Sequence, residues 1–201
     1  MEAGREVLVR VSAALAGGDP AELSDALVGA DRTGDPAAVE EVLLQSYLFL
    51  GYPAALNAFA LWREISGREA DPPADDTSSW ESRGARVCQT VYGGQYDRLR
   101  ANVRRLHPDM ERWMVEEGYG KVLGRPGLDL ATRELCIVAL LSVLDAPRQL
   151  YSHLRGALNA GASGADVDRA LELASGPAEA GARDRAMETW EAVRSRSDGE
   201  D

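Results

Sequence analysis

The chain has 201 residues, of which 45% are hydrophobic, so it is long enough for one domain or for two small units that share a core. Its 33 acidic and 22 basic residues give a formal net charge of −11, and such a surface repels phosphate backbones, so we expect no nucleic-acid partner. Residues 1–80 hold 14 of the acids and 5 of the bases while the remainder holds 19 and 17, so an anionic ligand fits better in the second part.

The cysteines and the apolar stretches bear on where the chain resides. Cys88 and Cys136 lie far apart and form no Cys-x-x-Cys pair, which argues against a disulfide framework. The opening MEAGREVLVR has acidic residues and lacks the apolar core of a signal peptide. The longest apolar runs, such as LCIVALLSVL, are about ten residues and too short to cross a bilayer. We therefore expect a cytoplasmic chain without a membrane partner.

In chain order, almost every segment is rich in Ala, Leu, Glu and Arg at helical spacing, which predicts an all-α fold. Residues 66–82, SGREADPPADDTSSWES, are acidic and rich in Pro and Ser, which indicates a linker. The stretch RVCQTVYGGQY predicts the end of a helix and a loop, and the tail RSRSDGED predicts a frayed end. We assign residues 1–67 to a first unit, 68–82 to the linker and 83–201 to a second unit with a preceding helical segment, within one structural domain.

The helix signals are clearest in the second unit. Asp129 can cap a first helix, and Pro147 begins a second helix that Gly161 ends. A third helix begins near Asp166 and is interrupted by Ser-Gly-Pro at 175–177. The first two helices form an antiparallel hairpin, because the connection between them is short.

The chain also contains an internal repeat. A shift of 128 positions lays residues 5–65 over 133–193 without a gap. Identical pairs include Arg5/Arg133, Glu6/Glu134, Ser24/Ser152 and Trp62/Trp190. We interpret the chain as two pseudo-repeats of a three-helix unit.

His153 and Glu134 are the candidate catalytic pair. His153 lies on a helix face with Gln149 and small residues, and Glu134 lies on the partner helix, displaced by about 6 Å along the hairpin. A carboxylate level with a histidine suits general acid–base chemistry. The alternatives are a histidine satisfied in the core, and a carboxylate that stabilises a helix end and pairs with Arg133 or Arg169.

Several motifs resemble the carboxymuconolactone decarboxylase family of the alkylhydroperoxidase D-like superfamily. They are Tyr119-Gly120, RPGLD at 125–129, TREL at 132–135 and HLRGAL at 153–158, and EEVLLQSYLFLGYPAALNAF in the first unit is similar to a further family hallmark. The resemblance implies that helical fold and a cofactor-free decarboxylase. In redox-active relatives, cysteines would occupy the positions of Ala146 and Gln149, so the resemblance does not extend to a peroxidase.

The resemblance also implies a composite site. Repeat 2 keeps His153 and Glu134 but lacks the aromatic third helix of the family, whereas repeat 1 keeps Gln45, Tyr47 and Tyr52 but has Asp25 at the histidine position. We therefore expect a wall of Gln45, Tyr47 and Tyr52 beside His153. Core packing is the alternative for these aromatic residues.

The implied reaction is loss of carbon dioxide from a small anionic lactone or unsaturated acid of the 4-carboxymuconolactone type. His153 would donate the proton and Glu134 would fix its tautomer. Gln149 would help to bind the substrate, and Arg155, with Arg125 or Arg133, would bind its carboxylate. No cofactor and no metal are expected.

Arg155 lies about 200° from His153 around the helix, so it would act from a neighbouring unit or subunit. Two-unit relatives form trimers that reproduce a six-unit ring, so the resemblance also implies a homotrimer. The alternatives are an isomerase or cyclising enzyme that uses the same pair, and a non-catalytic oligomeric binding protein.

Overall fold

The computed structural model describes residues 1–70 and 76–197, and these residues form the predicted all-α fold. The α-helices are α1 (Ala3–Gly17), α2 (Pro20–Thr33), α3 (Pro36–Ser66), α4 (Trp80–Tyr92), α5 (Tyr96–Leu106), α6 (Pro108–Trp113), α7 (Leu130–Val143), α8 (Pro147–Asn159), α9 (Gly164–Ala174) and α10 (Ala180–Ser197). A π-helical segment, Met114–Leu123, follows α6 directly.

Helix α7 lies at the centre of the core, since every residue from Ala131 to Ser142 is buried. It packs against α1, α8 and α9, and α1 runs beside it in the same direction. Two hydrogen bonds join these parallel helices: Arg5 Nε donates to Thr132 Oγ1 at 2.7 Å, and Ser12 Oγ donates to the carbonyl oxygen of Cys136 at 2.8 Å. Each fully buried leucine or valine of α7 contributes roughly 1.5–3 kcal/mol.

Local signals explain the helix ends of the second unit. Asp129 caps α7 as predicted, because its carboxylate accepts a hydrogen bond from the Thr132 amide at 3.0 Å. Helix α9 begins at Gly164, two residues before the predicted start at Asp166, because Ser163 and Asp166 form a reciprocal capping box. The predicted break at 175–177 separates α9 from α10.

The two units place equivalent contacts at a spacing of 128 residues. The indole of Trp62 donates to the Glu40 carboxylate at 3.3 Å, and the indole of Trp190 donates to the Asp168 carboxylate at 2.6 Å. The third helix of the first unit is also interrupted, since α3 is kinked at Gly51, where φ is 80°. The interpretation as a repeat rests on these matched contacts together with the sequence.

Three boundaries differ from the sequence-based assignment. Helix α4 already begins at Trp80, inside the predicted linker, and residues 71–75 of that linker lie outside the described residues. Helix α4 runs to Tyr92 and only a short 3-10 turn, Gly93–Gln95, separates it from α5. The tail is helical to Ser197, and residues 198–201 lie outside the described residues.

Helix α3 is long and apolar enough, by length and composition alone, to cross a membrane, and one third of its most apolar window is buried. The core helices of soluble proteins have the same properties. Its first half also carries Glu41 and Gln45, which are buried against Arg133. Charged and amide side chains paired inside the protein are typical of a core helix.

Candidate active site

Glu134 and His153 meet across the α7–α8 hairpin. The His153 Nδ1 atom lies 2.7 Å from Glu134 Oε2, and the two residues are 7% and 0% exposed. Neither alternative partner holds Glu134, because Arg133 binds Glu41 and Arg169 binds Glu6. The structure therefore places the two predicted catalytic residues in direct contact.

This contact determines which nitrogen of His153 is available for chemistry. A carboxylate accepts hydrogen bonds, so Nδ1 carries the proton that it shares with Glu134. The opposite nitrogen, Nε2, is left as the acid or base, and His153 lines the cavity described below. A carboxylate so placed also stabilises the imidazolium that forms when Nε2 takes up a proton.

Gly156, one turn after His153, makes room for the pair. A Cβ atom at this position would lie 2.8 Å from Glu134 Oε2 and 2.7 Å from Val91 Cγ1, both shorter than van der Waals contact. The small-residue face that the sequence predicted on α8 thus allows α4 and the Glu134 carboxylate to approach the helix backbone.

The second oxygen of Glu134, Oε1, is buried without a hydrogen-bond partner among the described residues. A buried polar atom in this state is costly, and stability alone does not explain it. Its neighbourhood is apolar and includes Cys88 and Tyr92, whose pKa values are raised chiefly by burial and further by the charge of Glu134. The contact of Oε2 with His153 is therefore the hydrogen bond that the structure shows for this carboxylate.

His153 opens onto a cavity of about 310 Å³, which we call the histidine cavity. Its wall comes from α3 (Leu48 and Phe49), from the end of α4 (Tyr92), from α6 (Met110 and Trp113) and from the π-helical segment (Met114, Glu117, Gly118, Tyr119 and Leu123). The ring of Phe49 meets that of His153 edge to face, with centroids 5.9 Å apart. π-helical turns often occur at functional sites, and here one supplies much of the wall.

Two tyrosines provide hydrogen-bond donors in this wall. The hydroxyls of Tyr119 and Tyr92 lie 3.0 Å apart, with Tyr119 donating. Burial raises the pKa of both phenols above the usual range, so both stay protonated at neutral pH. The Tyr92 hydroxyl therefore keeps its own proton, which it can donate to an oxygen atom in the cavity.

The predicted carboxylate binders Arg125 and Arg133 lie elsewhere. Arg133 is fully buried and its Nη2 atom lies 2.7 Å from Glu41 Oε2, while Arg125 Nε lies 3.1 Å from both oxygens of Glu41. Burial lowers the pKa of Arg133, although its hydrogen bond to Glu41 opposes this. Both arginines bind the α3 carboxylate and line no part of the histidine cavity.

The first unit lines the cavity through other residues of α3 than those predicted. Gln45 is buried against Arg133, and Tyr47 packs on Tyr52 with ring centroids 5.0 Å apart. Tyr52 is 60% exposed, and none of the three lines the histidine cavity. The first unit does contribute to the site, but through Leu48 and Phe49.

Gln149 and Arg155 also lie outside the histidine cavity. Gln149 is exposed near the start of α8. Arg155 lines a separate polar cavity, in agreement with the predicted angle between it and His153. Within one chain, Glu134 and His153 alone of the predicted residues form the site.

The sequence reading missed the aromatic lining from Phe49, Tyr92 and Trp113. Phe49 belongs to the family-like stretch SYLFLGYP, so its segment was identified and its role was not. Tyr92 lies on α4, which packs on α8, and Trp113 lies on α6, which packs on α5 and the π-helical segment. Neither contact is encoded in local spacing.

The cysteines lack the properties of a redox site. Cys88 and Cys136 are both buried, and burial raises the pKa of each thiol to about 12. A thiolate is the reactive form, so neither is activated at neutral pH.

Comparisons with known proteins show similarity in the second unit and to one curated protein. Residues 108–192 match the model of the Carboxymuconolactone decarboxylase family, a range that contains Glu134 and His153. The chain is also 28% identical over 144 residues to "Peroxisomal protein 2" of Schizosaccharomyces pombe (strain 972 / ATCC 24843). That match covers 68% of this chain and 66% of that protein, so the chain spans about two thirds of the length of this relative. Residues 108–192 of the chain, within its second unit, are thus similar to the carboxymuconolactone decarboxylase family.

Proposed function

We propose that this chain is a cofactor-free acid–base enzyme that removes carbon dioxide from a small unsaturated acid or lactone. The observation that carries the proposal is the His153–Glu134 pair, which is buried and joined at 2.7 Å through Nδ1, with His153 lining a cavity. The proton donor of such a reaction must be held in one tautomer, and Glu134 does this.

The reaction needs a proton and an acceptor for electrons. When the bond between the substrate and its carboxylate breaks, carbon dioxide leaves and the electron pair moves into the conjugated carbonyl group as an enolate. His153 Nε2, protonated beforehand, delivers its proton to the carbon, and the neutral imidazole regains a proton from water. In this proposal the Tyr92 hydroxyl donates a hydrogen bond to the enolate oxygen, and Tyr119, 3.0 Å away, donates to the Tyr92 hydroxyl.

The lining of the histidine cavity narrows the class of substrate that we expect. Its described lining contains no arginine and no lysine, and Glu117, at the mouth, adds a negative charge. A substrate with several carboxylates is therefore less favoured than one with a single carboxylate on an apolar body. An apolar wall also strips water from that carboxylate, which strengthens its interactions with the groups around it.

The test combines two measurements on one reaction. The purified chain is incubated in deuterium oxide with 4-carboxymuconolactone and, separately, with a panel of unsaturated monocarboxylic acids. We expect carbon dioxide release with one deuterium bound to carbon per turnover, and loss of both in His153→Gln. Carbon dioxide release that is equal in the wild type and in His153→Gln would exclude the proposal.

A second candidate is an isomerase that moves a proton without loss of carbon dioxide. The absence of a cation from the described lining of the cavity favours it, since an isomerase does not need to hold a carboxylate. The same incubation distinguishes the two reactions: deuterium would enter the substrate or its isomer, and no carbon dioxide would form.

We also propose that the chain works as a homotrimer. The second half of α3 leaves Tyr52 and Leu56 60% and 63% exposed, and contact with another subunit would cover them. Light scattering should give about three times the 21.6 kDa mass of the chain. A stable monomer at micromolar concentration would contradict the trimer and leave the acid–base proposal intact.

A further inference from the structure

A second cavity lies next to the histidine cavity and has the opposite character. It also measures about 310 Å³, and Tyr92 lines both cavities. Its wall includes Arg98, Arg155, Arg196, Gln95, Asn159 and Tyr151, and we call it the arginine cavity. Its size is at the small end of ligand sites, which span roughly 300–1,000 Å³.

The three arginines come from separate elements and converge through the tertiary structure. Arg98 lies on α5, Arg155 on α8 and Arg196 on α10. Arg196 is held in position, since its Nη1 atom donates to the Tyr151 hydroxyl at 2.7 Å and its guanidinium lies 5.6 Å from the centre of that ring. Arg155 is half-buried, so at least one of the three has lost part of its hydration.

In the part of the chain that the structure describes, no carboxylate balances these charges. Among the described residues, none of the three arginines forms an ion pair, and no acidic side chain lines the arginine cavity. The chain has 33 acidic residues to 22 basic ones, so a lack of carboxylates is not the reason. On the same helix as Arg98, both Arg100 and Arg104 bind the buried carboxylate of Glu111.

Three guanidinium groups around one small cavity repel each other, and an anion between them would turn this repulsion into attraction. Guanidinium groups bind carboxylate and phosphate oxygens through paired, charge-assisted hydrogen bonds, and Gln95 can supply a further amide donor. Apolar ligands do not compensate such a lining.

We propose that the arginine cavity, lined by Arg98, Arg155 and Arg196, is a binding site for a small free oxyanion, a carboxylate or a phosphate. The site is separate from the histidine cavity: its lining includes Ser152 and Arg155, on either side of His153 in the sequence, but not His153 itself. Because Tyr92 is a wall of both, an oxyanion bound here lies beside a hydrogen-bond donor of the histidine cavity.

The test measures binding and does not depend on turnover, so it stands or falls independently of the proposed decarboxylase. Inorganic phosphate and succinate are titrated separately into the full chain by isothermal calorimetry at constant ionic strength. We expect one site per chain, and the tighter of the two probes identifies whether the natural ligand carries phosphate or carboxylate.

Matched variants locate the site. Arg155→Gln and Arg98→Gln should each weaken binding about tenfold. Arg148→Gln removes the same charge from the exposed start of α8, outside the cavity, and should leave binding unchanged. Melting curves verify the fold of each variant, which we expect to be intact because Arg98 and Arg155 have no ion-pair partner in the described chain.

Two results would overturn the proposal. One is the absence of binding by either probe at ~10 mM, beyond the millimolar affinity that a few weak contacts provide. The other is binding that survives in the double variant Arg98→Gln/Arg155→Gln, since the anion would then be held elsewhere on the protein.

Discussion

The hairpins α1–α2 and α7–α8 occupy equivalent positions in the two units, yet the glutamates at equivalent positions differ in burial and in partner. Glu6 corresponds to Glu134 at a spacing of 128 residues, but its side chain is 27% exposed and binds Arg169 at 2.8 and 3.0 Å. Asp25 stands where the second hairpin has His153, and it is exposed. The first hairpin therefore has a surface ion pair where the second has a buried acid–base pair.

The helices packed around each hairpin contribute more to this difference in burial than the change from His153 to Asp25 does. A cavity also lies beside the first hairpin. Its lining includes Asp25 of the first unit and Gly176 and Pro177 of the second. At the spacing of 128 residues, these positions correspond to His153, Leu48 and Phe49 in the histidine cavity. Helix α2 packs against α1 and α3, whereas α8 is also covered by α4. Residues 80–123 thus supply much of the lining of the histidine cavity, and the burial of Glu134 and His153 strengthens the electrostatic effect of one on the other.

The sharpest test of this comparison exchanges one side chain in each hairpin. His153→Gln should lower turnover by about 100-fold to 10,000-fold, the usual contribution of a general acid or base. Its melting temperature should stay within a few degrees, because His153 lies on a face of small residues. Asp25→Asn, at the equivalent position, should leave turnover unchanged. Unfolding of His153→Gln would show instead that the histidine is structural.

Two ion pairs that join the first unit to the second should differ in strength. Arg133→Gln removes the fully buried partner of Glu41 and leaves the partly exposed Arg125, so it should cost at most about 3–5 kcal/mol in the free energy of unfolding. Arg169→Gln removes the exposed pair with Glu6, which solvent screens, and should cost much less. Urea denaturation measures both, and equal losses would contradict the burial difference.

Glycines in the two hairpins offer a smaller test. Gly156→Ala places a methyl group against Val91 and Glu134, so we expect a loss of about 1–3 kcal/mol in stability together with reduced turnover. Gly29→Ala, in α2, meets open space and should stabilise the chain by about 0.5–1 kcal/mol. A Gly156→Ala variant with full activity would show that the position of Glu134 is not critical.

The smallest effect is expected at the cysteines. With a pKa of about 12, the thiols of Cys88 and Cys136 hold roughly one thiolate in 10,000 at pH 8, so iodoacetamide should label them only after unfolding. Cys88→Ser and Cys136→Ser should leave turnover intact, and hydroperoxide reduction should be undetectable. Peroxidase activity that depends on Cys136 would reverse the exclusion of thiol chemistry.

Local signals predicted much of the fold. The cap at Asp129, the hairpin between α7 and α8 and the break at 175–177 follow from residue chemistry and from helix period, which act over one or two turns. The prediction of a linker to residue 82 was wrong at its end, because Trp80 and Gly84 pack against the π-helical segment and extend α4 toward the chain start. At these residues, packing against a segment distant in the sequence favours the helix, although the acidic, Ser-rich composition is typical of a linker.

The sequence by itself determined the helical fold, the hairpin and the level at which His153 faces Glu134, because helix geometry converts spacing into position. The tertiary structure alone decided which arginines form ion pairs within the described residues. Arg133 and Arg125 are bound by Glu41, 84 to 92 residues away in the chain, while Arg98, Arg155 and Arg196 come from three helices to one cavity. The charge of a side chain can be read from the sequence, but its pairing depends on which distant residues the folded chain brings within a few ångströms.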